Sequence, residues 1–415
     1  MKIALCSIGS RGDIQPFLTV GEYLAKHEHE VKVSSAKMYE KLASAYAVNY
    51  VPFEGNYESI MDNEALKKEI GKNPFKIKGK LKEKVYPIIE NSLDTYYELL
   101  QWCDVMLYHP KTLIDSIGKE HQYKLIKGYV VPAFTPTKEF KNPLFEVIPL
   151  PKFLNKITYK IINSMIGAVK TPVNNFKKRN QLPKSKAFIE TPIIYGISPS
   201  LLSIPKDYPE NHHYSGFWIK EKSTQELTEE ISDFISGDKK ILAITFGSMP
   251  YQSQIDINDF IEVILKENDI KLILIKAWGL KNMVINPHKN LLTIDSAPFD
   301  VLFPKVDYVM HHGGAGTTAI AVSAGVTQFI CPVLHPVGDQ YFWGKQLKKM
   351  GVGVHPIPLK KLTIANLLSS ITKLQKKKLT TEAQNLKQKI EMEDGLAETL
   401  RLIEQHGNQI RKQLL

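Results

Sequence analysis

Residues 306–325, VDYVMHHGGAGTTAIAVSAG, set His312, Gly313, Gly314, Gly316, Thr317 and Thr318 between an apolar, strand-like run and a stretch of small helical residues. Glycines leave backbone N–H groups uncovered. A helix that begins here adds unpaired first-turn N–H groups and the positive end of its dipole. The threonine hydroxyls and the His312 imidazole supply further donors, and Ala315, Ala319, Ala321 and Ala324 keep the helix slim enough to pack closely. Together these residues suit a cradle for a diphosphate. The pattern is not a P-loop, because no Gly-Lys-Ser/Thr follows, and it is not the dinucleotide G-x-G-x-x-G. A plain tight turn would account for the glycines but not for the histidines and threonines beside them.

One expected strand further on, LHPVGDQYFWG (334–344) places Asp339 and Gln340 where a strand-to-helix loop should emerge. A carboxylate beside an amide can grip neighbouring sugar hydroxyls, one as acceptor and the other as donor and acceptor. Near the start of the chain, GSRGD (9–13) follows an apolar run directly. Two readings of Asp13 stand side by side: a base that takes a proton from a hydroxyl, or a carboxylate that caps a helix. Arg11 either holds that carboxylate, meets a diphosphate or points into solvent. His212 and His213 are adjacent but lack the spaced ligand pairs of a metal motif, so they do not read as a metal site.

These residues need strands and helices to bring them together. KIALCSI (2–8) reads as a strand, 14–29 as a helix and EVKVSSA (30–36) as a second strand, which makes a βαβ unit. Further strands are expected at 48–53, 103–110, 124–134 and 193–202, with helix, loop and helix over 60–100. A second series has strands at 239–249, 271–279, 290–297, 306–310 and 327–333, and helices near 256–267 and 311–325. Strands alternating with helices imply parallel sheets covered on both faces. The expected fold is therefore α/β, with two Rossmann-like domains facing a cleft. The boundaries are 1–205, a linker at 206–222, a second domain at 223–398, and a helix at 399–415 that returns to the first domain. In such sheets ligands sit at the carboxyl ends of the strands.

Composition sets outer limits. The chain has 415 residues, 43% of them hydrophobic and 23% charged, with a net charge of +11. That is enough to bury two cores, and the basic balance favours phosphorylated ligands or acidic membrane surfaces. No nucleic-acid module is visible. Cys6, Cys103 and Cys331 are too far apart for a disulfide framework or a C-x-x-C metal pair, which fits a reducing cytoplasm. No apolar run approaches the ~18 residues that span a bilayer. Between Lys67 and Lys84 eight lysines alternate with Phe75, Ile77 and Leu81. That stretch is either a solvated helix face or a basic lid that touches an anionic membrane.

SIGSRGDIQPFLTVGEYLAKHEHEV (7–31) resembles the N-terminal signature of nucleotide-sugar glycosyltransferases of the sterol, macrolide and glycopeptide type. Residues 296–357 resemble the donor-binding signature of the same family, nearest its sterol glucosyltransferase branch, and YGISPSLLSIPKDYPENHHYSGFW (195–218) resembles that branch's linker. The resemblance implies a GT-B fold and an inverting, metal-independent transfer from a UDP-sugar to a small hydroxylated acceptor, with no cofactor. By it Asp13 is the general base, with Ser10 and Arg11 beside the donor. Ser248, His312, Gly314, Gly316 and Thr317 hold the diphosphate, Asp339 and Gln340 hold the hexose, and Ala297 and Phe299 line the base pocket. Phe299 and Val301 stand where many relatives have His and Trp, and Ser296 where other branches have a stacking Trp. The alternatives are an accessory protein that binds a nucleotide sugar without catalysis, and a nucleotide-sugar epimerase.

Overall fold

Parallel pairing runs through both sheets, so each strand is reached by a crossover that covers one face. The computed structural model describes residues 1–55, 78–166, 170–183, 191–220 and 225–414.

The first domain contains β1 (Lys2–Cys6), α1 (Arg11–Lys26), β2 (Glu30–Ala36), β3 (Asn49–Phe53), α2 (Lys78–Trp102), β4 (Val105–Tyr108), β5 (Leu125–Tyr129), α3 (Asn155–Ile166), α4 (Lys170–Arg179), β6 (Ile193–Tyr195) and β7 (His212–Tyr214). Its seven strands lie in the order β3-β2-β1-β4-β5-β6-β7. The apolar runs ALC of β1 and VMLY of β4 are wholly buried, as expected for central strands covered on both faces.

The second domain contains α5 (Glu229–Ile235), β8 (Lys240–Thr245), α6 (Ile257–Glu267), β9 (Ile270–Ile275), β10 (Leu291–Ile294), β11 (Tyr308–His311), α7 (Ala315–Ala324), β12 (Thr327–Ile330), α8 (Gln340–Met350), α9 (Ile364–Leu374) and α10 (Lys377–Ile390). Its strands lie in the order β10-β9-β8-β11-β12. The final helix, α11 (Gly395–Leu414), crosses back to the first domain. Its Leu396, Leu402, Ile403 and Ile410 are buried in one core with Leu5, Leu24 and Val105. Each such side chain contributes about 1.5–3 kcal/mol towards holding the helix against the first domain. Trp218 Nε1 donates to Thr399 Oγ1 at 2.7 Å and fixes the crossing point.

The two domains also share a core. Tyr129, Tyr195 and Leu201 of the first pack with Ile330, Trp343 and Leu386 of the second. Gln346 Nε2 donates to the Leu201 carbonyl at 2.6 Å, and Lys345 pairs with Glu146 across the boundary.

Some elements differ from the sequence reading. Within the stretch expected as linker, His212–Tyr214 pair with β6 as the edge strand of the first sheet. His212 Nδ1 lies 3.0 Å from Thr135 Oγ1, so this histidine ties a strand to a neighbouring loop. Where helix, loop and helix were expected over 60–100, residues 78–102 form a single helix, and 60–77 lie outside the described residues. The side chains of the lysine-rich stretch 67–84 lie outside them as well. The helices α9 and α10 had no counterpart in the sequence reading.

Candidate active site

Each sheet has one place where the crossovers part. In the first it lies between β1 and β4, and in the second between β8 and β11. Helices leaving in opposite directions open a crevice at the carboxyl ends of those strands. Asp13 and His109 stand at the first switch point, following β1 and β4. The turn Gly247–Ser248 and the loop His312–Gly316 stand at the second, following β8 and β11.

Asp13 is the third residue of α1, and its carboxylate turns back to cap the helix. Its Oδ2 accepts from the Ser10 backbone N–H at 2.8 Å and from the Ser10 hydroxyl at 2.9 Å. Its Oδ1 accepts from Lys111 Nζ at 2.7 Å, and His109 Nε2 lies 3.4 Å from the same atom. Gly9 makes this possible: a Cβ there would stand 2.4 Å from Oδ2, and its φ of +135° belongs to glycine. Burial alone would raise the Asp13 pKa. The Lys111 ammonium and the His109 imidazole outweigh it and hold the carboxyl well below the usual carboxylate range. The structure shows the helix-capping reading of Asp13, and the capping carboxylate lies near enough to Asp339 of the second domain to act on its charge. Arg11 does not hold it: the guanidinium Nε donates to Gln15 Oε1 at 3.0 Å instead.

His109 and Lys111 were not singled out from the sequence. The His109 ring is buried, and its Nδ1 accepts from the Lys111 backbone N–H at 3.1 Å. A neutral ring must therefore carry its proton on Nε2, the atom aimed at Asp13. Burial pushes the His109 pKa down to about 4, which keeps the ring neutral at pH 7. Its ring also meets Tyr129 at 4.6 Å between centroids.

Across the cleft the two histidines of the glycine-rich loop divide the work. His311 is wholly buried; its Nδ1 accepts from Gly313 N–H at 3.1 Å and its Nε2 lies 2.9 Å from Gln328 Oε1. It shapes the loop from beneath. His312 sits between two glycines. A Cβ on Gly314 would come within 2.6 Å of its Nε2, and one on Gly247 within 3.1 Å of its Cε1. Burial, with His311 beside it, pushes the His312 pKa down to about 3. Two buried polar atoms here, His312 Nδ1 and Thr318 Oγ1, have no hydrogen-bond partner. Most buried polar groups are paired, so these two are free to meet a ligand, as are others outside the cleft such as His121 Nδ1 and Tyr214 Oη. Nothing lies within 4 Å of where a Gly316 Cβ would be, so the first turn of α7 is bare towards the cleft. An open space of about 380 Å³ lies there between the domains, lined in part by Pro16, Trp218, Gly316, Thr318 and Trp343. Thr317 is half-buried on the same turn, and Ser248 is exposed in the turn after β8.

Asp339 stands at the first position before α8 without a side-chain capping bond, and its Oδ2 accepts from Trp343 Nε1 at 3.1 Å. Burial raises its pKa to about 6, helped by the negative charge of Asp13 and opposed by the Trp343 hydrogen bond and Lys111. Asp13 and Asp339 thus feel each other across the cleft. Gln340 is committed differently from Asp339. Its Oε1 accepts from both Val333 and Leu334 N–H at 2.8 Å, so only its amide NH₂ is left to meet a ligand. Ala297 and Phe299 lie beyond the end of β10, and Phe299 stacks on Phe303 at 4.7 Å. Both share a hydrophobic cluster with Val309 of β11 and with Ala321 and Ala324 of α7, so they lie beside the helix that the glycine-rich loop opens. Among the described residues, no three His, Cys, Asp or Glu side chains are placed to hold a metal ion.

Comparison with known proteins finds glycosyltransferases over both domains. The glycosyltransferase family 28 N-terminal domain matches residues 3–105, and the erythromycin biosynthesis protein CIII-like C-terminal domain matches residues 266–400. A sterol 3-beta-glucosyltransferase of Arabidopsis thaliana is 28% identical over 98% of this chain and 68% of its own length. Another from that plant is 26% identical over 98% of this chain and 66% of its own length. One from Debaryomyces hansenii is 25% identical over 97% of this chain, which spans only 26% of that relative. Among solved structures, the kitacinnamycin glycotransferase superposes with a TM-score of 0.69 at 14% identity, covering 98% of both chains. The glycosyltransferase VinC in complex with DTDP superposes with a TM-score of 0.64 at 15% identity, covering 99% of this chain and 100% of the other.

Proposed function

The chain belongs to the glycosyltransferases of the GT-B fold, and from that premise we propose that it is an inverting hexosyltransferase. Its donor is UDP-glucose, and its acceptor is a hydroxyl on a small lipophilic molecule such as a sterol or polyketide. The acceptor oxygen attacks the anomeric carbon while the bond from that carbon to the diphosphate oxygen breaks. The bonding electrons leave with the diphosphate, the acceptor proton passes to Asp13, and an α-linked donor gives a β-linked product. A carboxylate of low pKa suffices for this role because a hydroxyl becomes strongly acidic as its oxygen bonds to carbon. His109 orients Asp13, and Lys111 balances its charge until the proton arrives.

The departing diphosphate gathers negative charge at the start of α7, where backbone N–H groups, His312 and Thr318 meet it. We propose that this cradle and Lys111 replace a divalent cation. Asp339 accepts from hexose hydroxyls, while the Gln340 amide donates to one. The reading places the protein in the cytoplasm. Among the described residues no helix is long and apolar enough to cross a membrane.

The observation that carries this proposal is the Asp13 carboxylate at one switch point, opposite unpartnered donors at the other. Incubation with UDP-glucose and a panel of hydroxylated lipophiles tests it, with UDP release and the acceptor's mass as readouts. Acceptor-dependent UDP release with a hexose added to the acceptor is expected, unchanged in EDTA. UDP-glucose binding without turnover would make the chain an accessory binding protein, and an altered donor with no UDP released would make it an epimerase.

A further inference from the structure

The start of α3 carries an apolar stripe that faces solvent. Phe153, in the turn leading into the helix, is 82% exposed, Ile157 49% and Ile161 41%. Spaced four residues apart, they lie along one helix face. Other exposed large hydrophobics, such as Val284 and Met392, stand singly in the sequence. The outward orientation is enforced. The opposite face is pinned by Asn155 Nδ2 donating to the Lys138 carbonyl at 2.7 Å, and by Asn142 N–H donating to Thr158 Oγ1 at 2.8 Å. Tyr159 is buried on the same inner side.

Lysines run along one edge of the stripe at positions 152, 156 and 160. Lys156 pairs with Asp207 at 3.0 Å, while Lys152 and Lys160 are exposed. Across 138–166 five lysines stand against two glutamates. One of those, Glu146, is buried against Lys345; the other, Glu139, accepts from the Lys206 backbone N–H. The surface is therefore apolar and basic together. The same segment reaches the cleft, since the Leu144 carbonyl accepts from Gly338 N–H at 3.0 Å, one residue before Asp339.

We infer that Phe153, Ile157 and Ile161 enter the interface of an anionic membrane, with Lys152 and Lys160 on its headgroups. An amphipathic helix flanked by basic residues binds such a surface reversibly, and its lysine stems follow the apolar stripe while their ammonium groups stay in water. Three side chains and a row of lysines fall short of the ~800 Å² per partner that a stable protein interface needs. The charge selects an acidic surface. Only the purpose of this contact, collecting a lipophilic acceptor from the membrane, rests on the proposed function.

The test is co-sedimentation of the full chain with phosphatidylcholine vesicles, with and without phosphatidylserine. The chain is expected to bind the acidic vesicles and to be released by salt. Replacing Phe153 and Ile157 by serine should abolish binding. Replacing Lys152 and Lys160 by glutamine should lower the partition constant about thirtyfold, as ~1 kcal/mol per basic residue dictates. Both variants should keep wild-type turnover on a water-soluble acceptor. Equal binding of wild type and both variants would overturn the inference and assign the contact to another surface. Absence of vesicle binding, with a self-association that the serine variant abolishes in sedimentation, would make α3 a contact between copies of the chain. If wild type binds vesicles through α3 but transfers no sugar, the proposed function fails and the membrane contact stands.

Discussion

The two switch points face each other across the cleft and are built from different materials. The first is made of side chains: Asp13 is held by Ser10 from its own turn and by His109 and Lys111 from the turn after β4. The second is made largely of backbone, with a helix start, three glycines and one neutral imidazole. Charge on side chains can be tuned through neighbours, and it depends on each of them. Charge from aligned peptide dipoles is always present and does not titrate. A proton acceptor therefore belongs at the first switch point and an anion cradle at the second. Single substitutions should separate the two functions cleanly.

The largest separation is expected from Asp13→Asn. The amide keeps an oxygen for Ser10 but cannot take the acceptor's proton. Turnover should fall ~10²–10⁴-fold, the usual cost of losing a general base, while UDP affinity by calorimetry changes little. Turnover near wild type would leave Asp13 as a helix cap and erase the contrast between the two sites.

His312→Ala is the converse. A hydrogen bond to a charged group is worth ~1.5–3 kcal/mol, so UDP should bind roughly 10–150-fold more weakly, and turnover should fall with it. Unchanged UDP affinity would mean that the peptide groups of the second site act alone.

How far these sites could be read in the sequence follows the same division. The second lies on one contiguous stretch, so its glycines, threonines and His312 announce themselves together. The first is assembled from positions 98 residues apart. His109 lies near the end of a stretch that reads only as a strand, 103–110, and Lys111 follows it. Their partnership with Asp13 appears once β4 is known to lie beside β1, because the residues after both strands then share a crevice. Spacing alone gives no strand order. Gln340 shows the opposite limit: its type suggested a sugar contact, while its oxygen is occupied by two backbone donors that no motif reveals. The strand His212–Tyr214 was hidden because three residues between prolines and a glycine carry no periodicity.

A smaller effect links the two sites through pH. The Asp339 pKa, raised by burial to about 6, means that its ionised form is disfavoured in the free protein. Hexose hydroxyls donate more strongly to the carboxylate than to the acid, so binding the sugar should release a proton as pH falls below about 6. From pH 7 to pH 5 the ionised fraction drops about tenfold, and UDP-glucose affinity should follow it. Asp339→Asn should bind UDP-glucose with little pH dependence over this range. Equal pH dependence for wild type and Asp339→Asn would detach Asp339 from the hexose.

The smallest effect concerns Gly316 and asks whether the space over α7 belongs to the ligand. A Cβ at this position meets no atom within 4 Å, so the free protein gives glycine no packing reason to be there. Its cost is conformational: glycine within a helix is worse than alanine by roughly 0.5–1 kcal/mol. Gly316→Ala should therefore raise the unfolding free energy by up to that amount. If diphosphate oxygens approach the first turn as proposed, the added methyl group meets them, and UDP affinity should fall several-fold even as stability rises. Gly314→Ala gives the contrast, because its methyl group would collide with His312 Nε2 at 2.6 Å and disturb the free protein as well. Thermal unfolding with and without UDP reads both quantities. A Gly316→Ala protein that is stabilised and still binds UDP as wild type does would place the phosphates away from α7, and the backbone site would have to be sought at the Gly247–Ser248 turn.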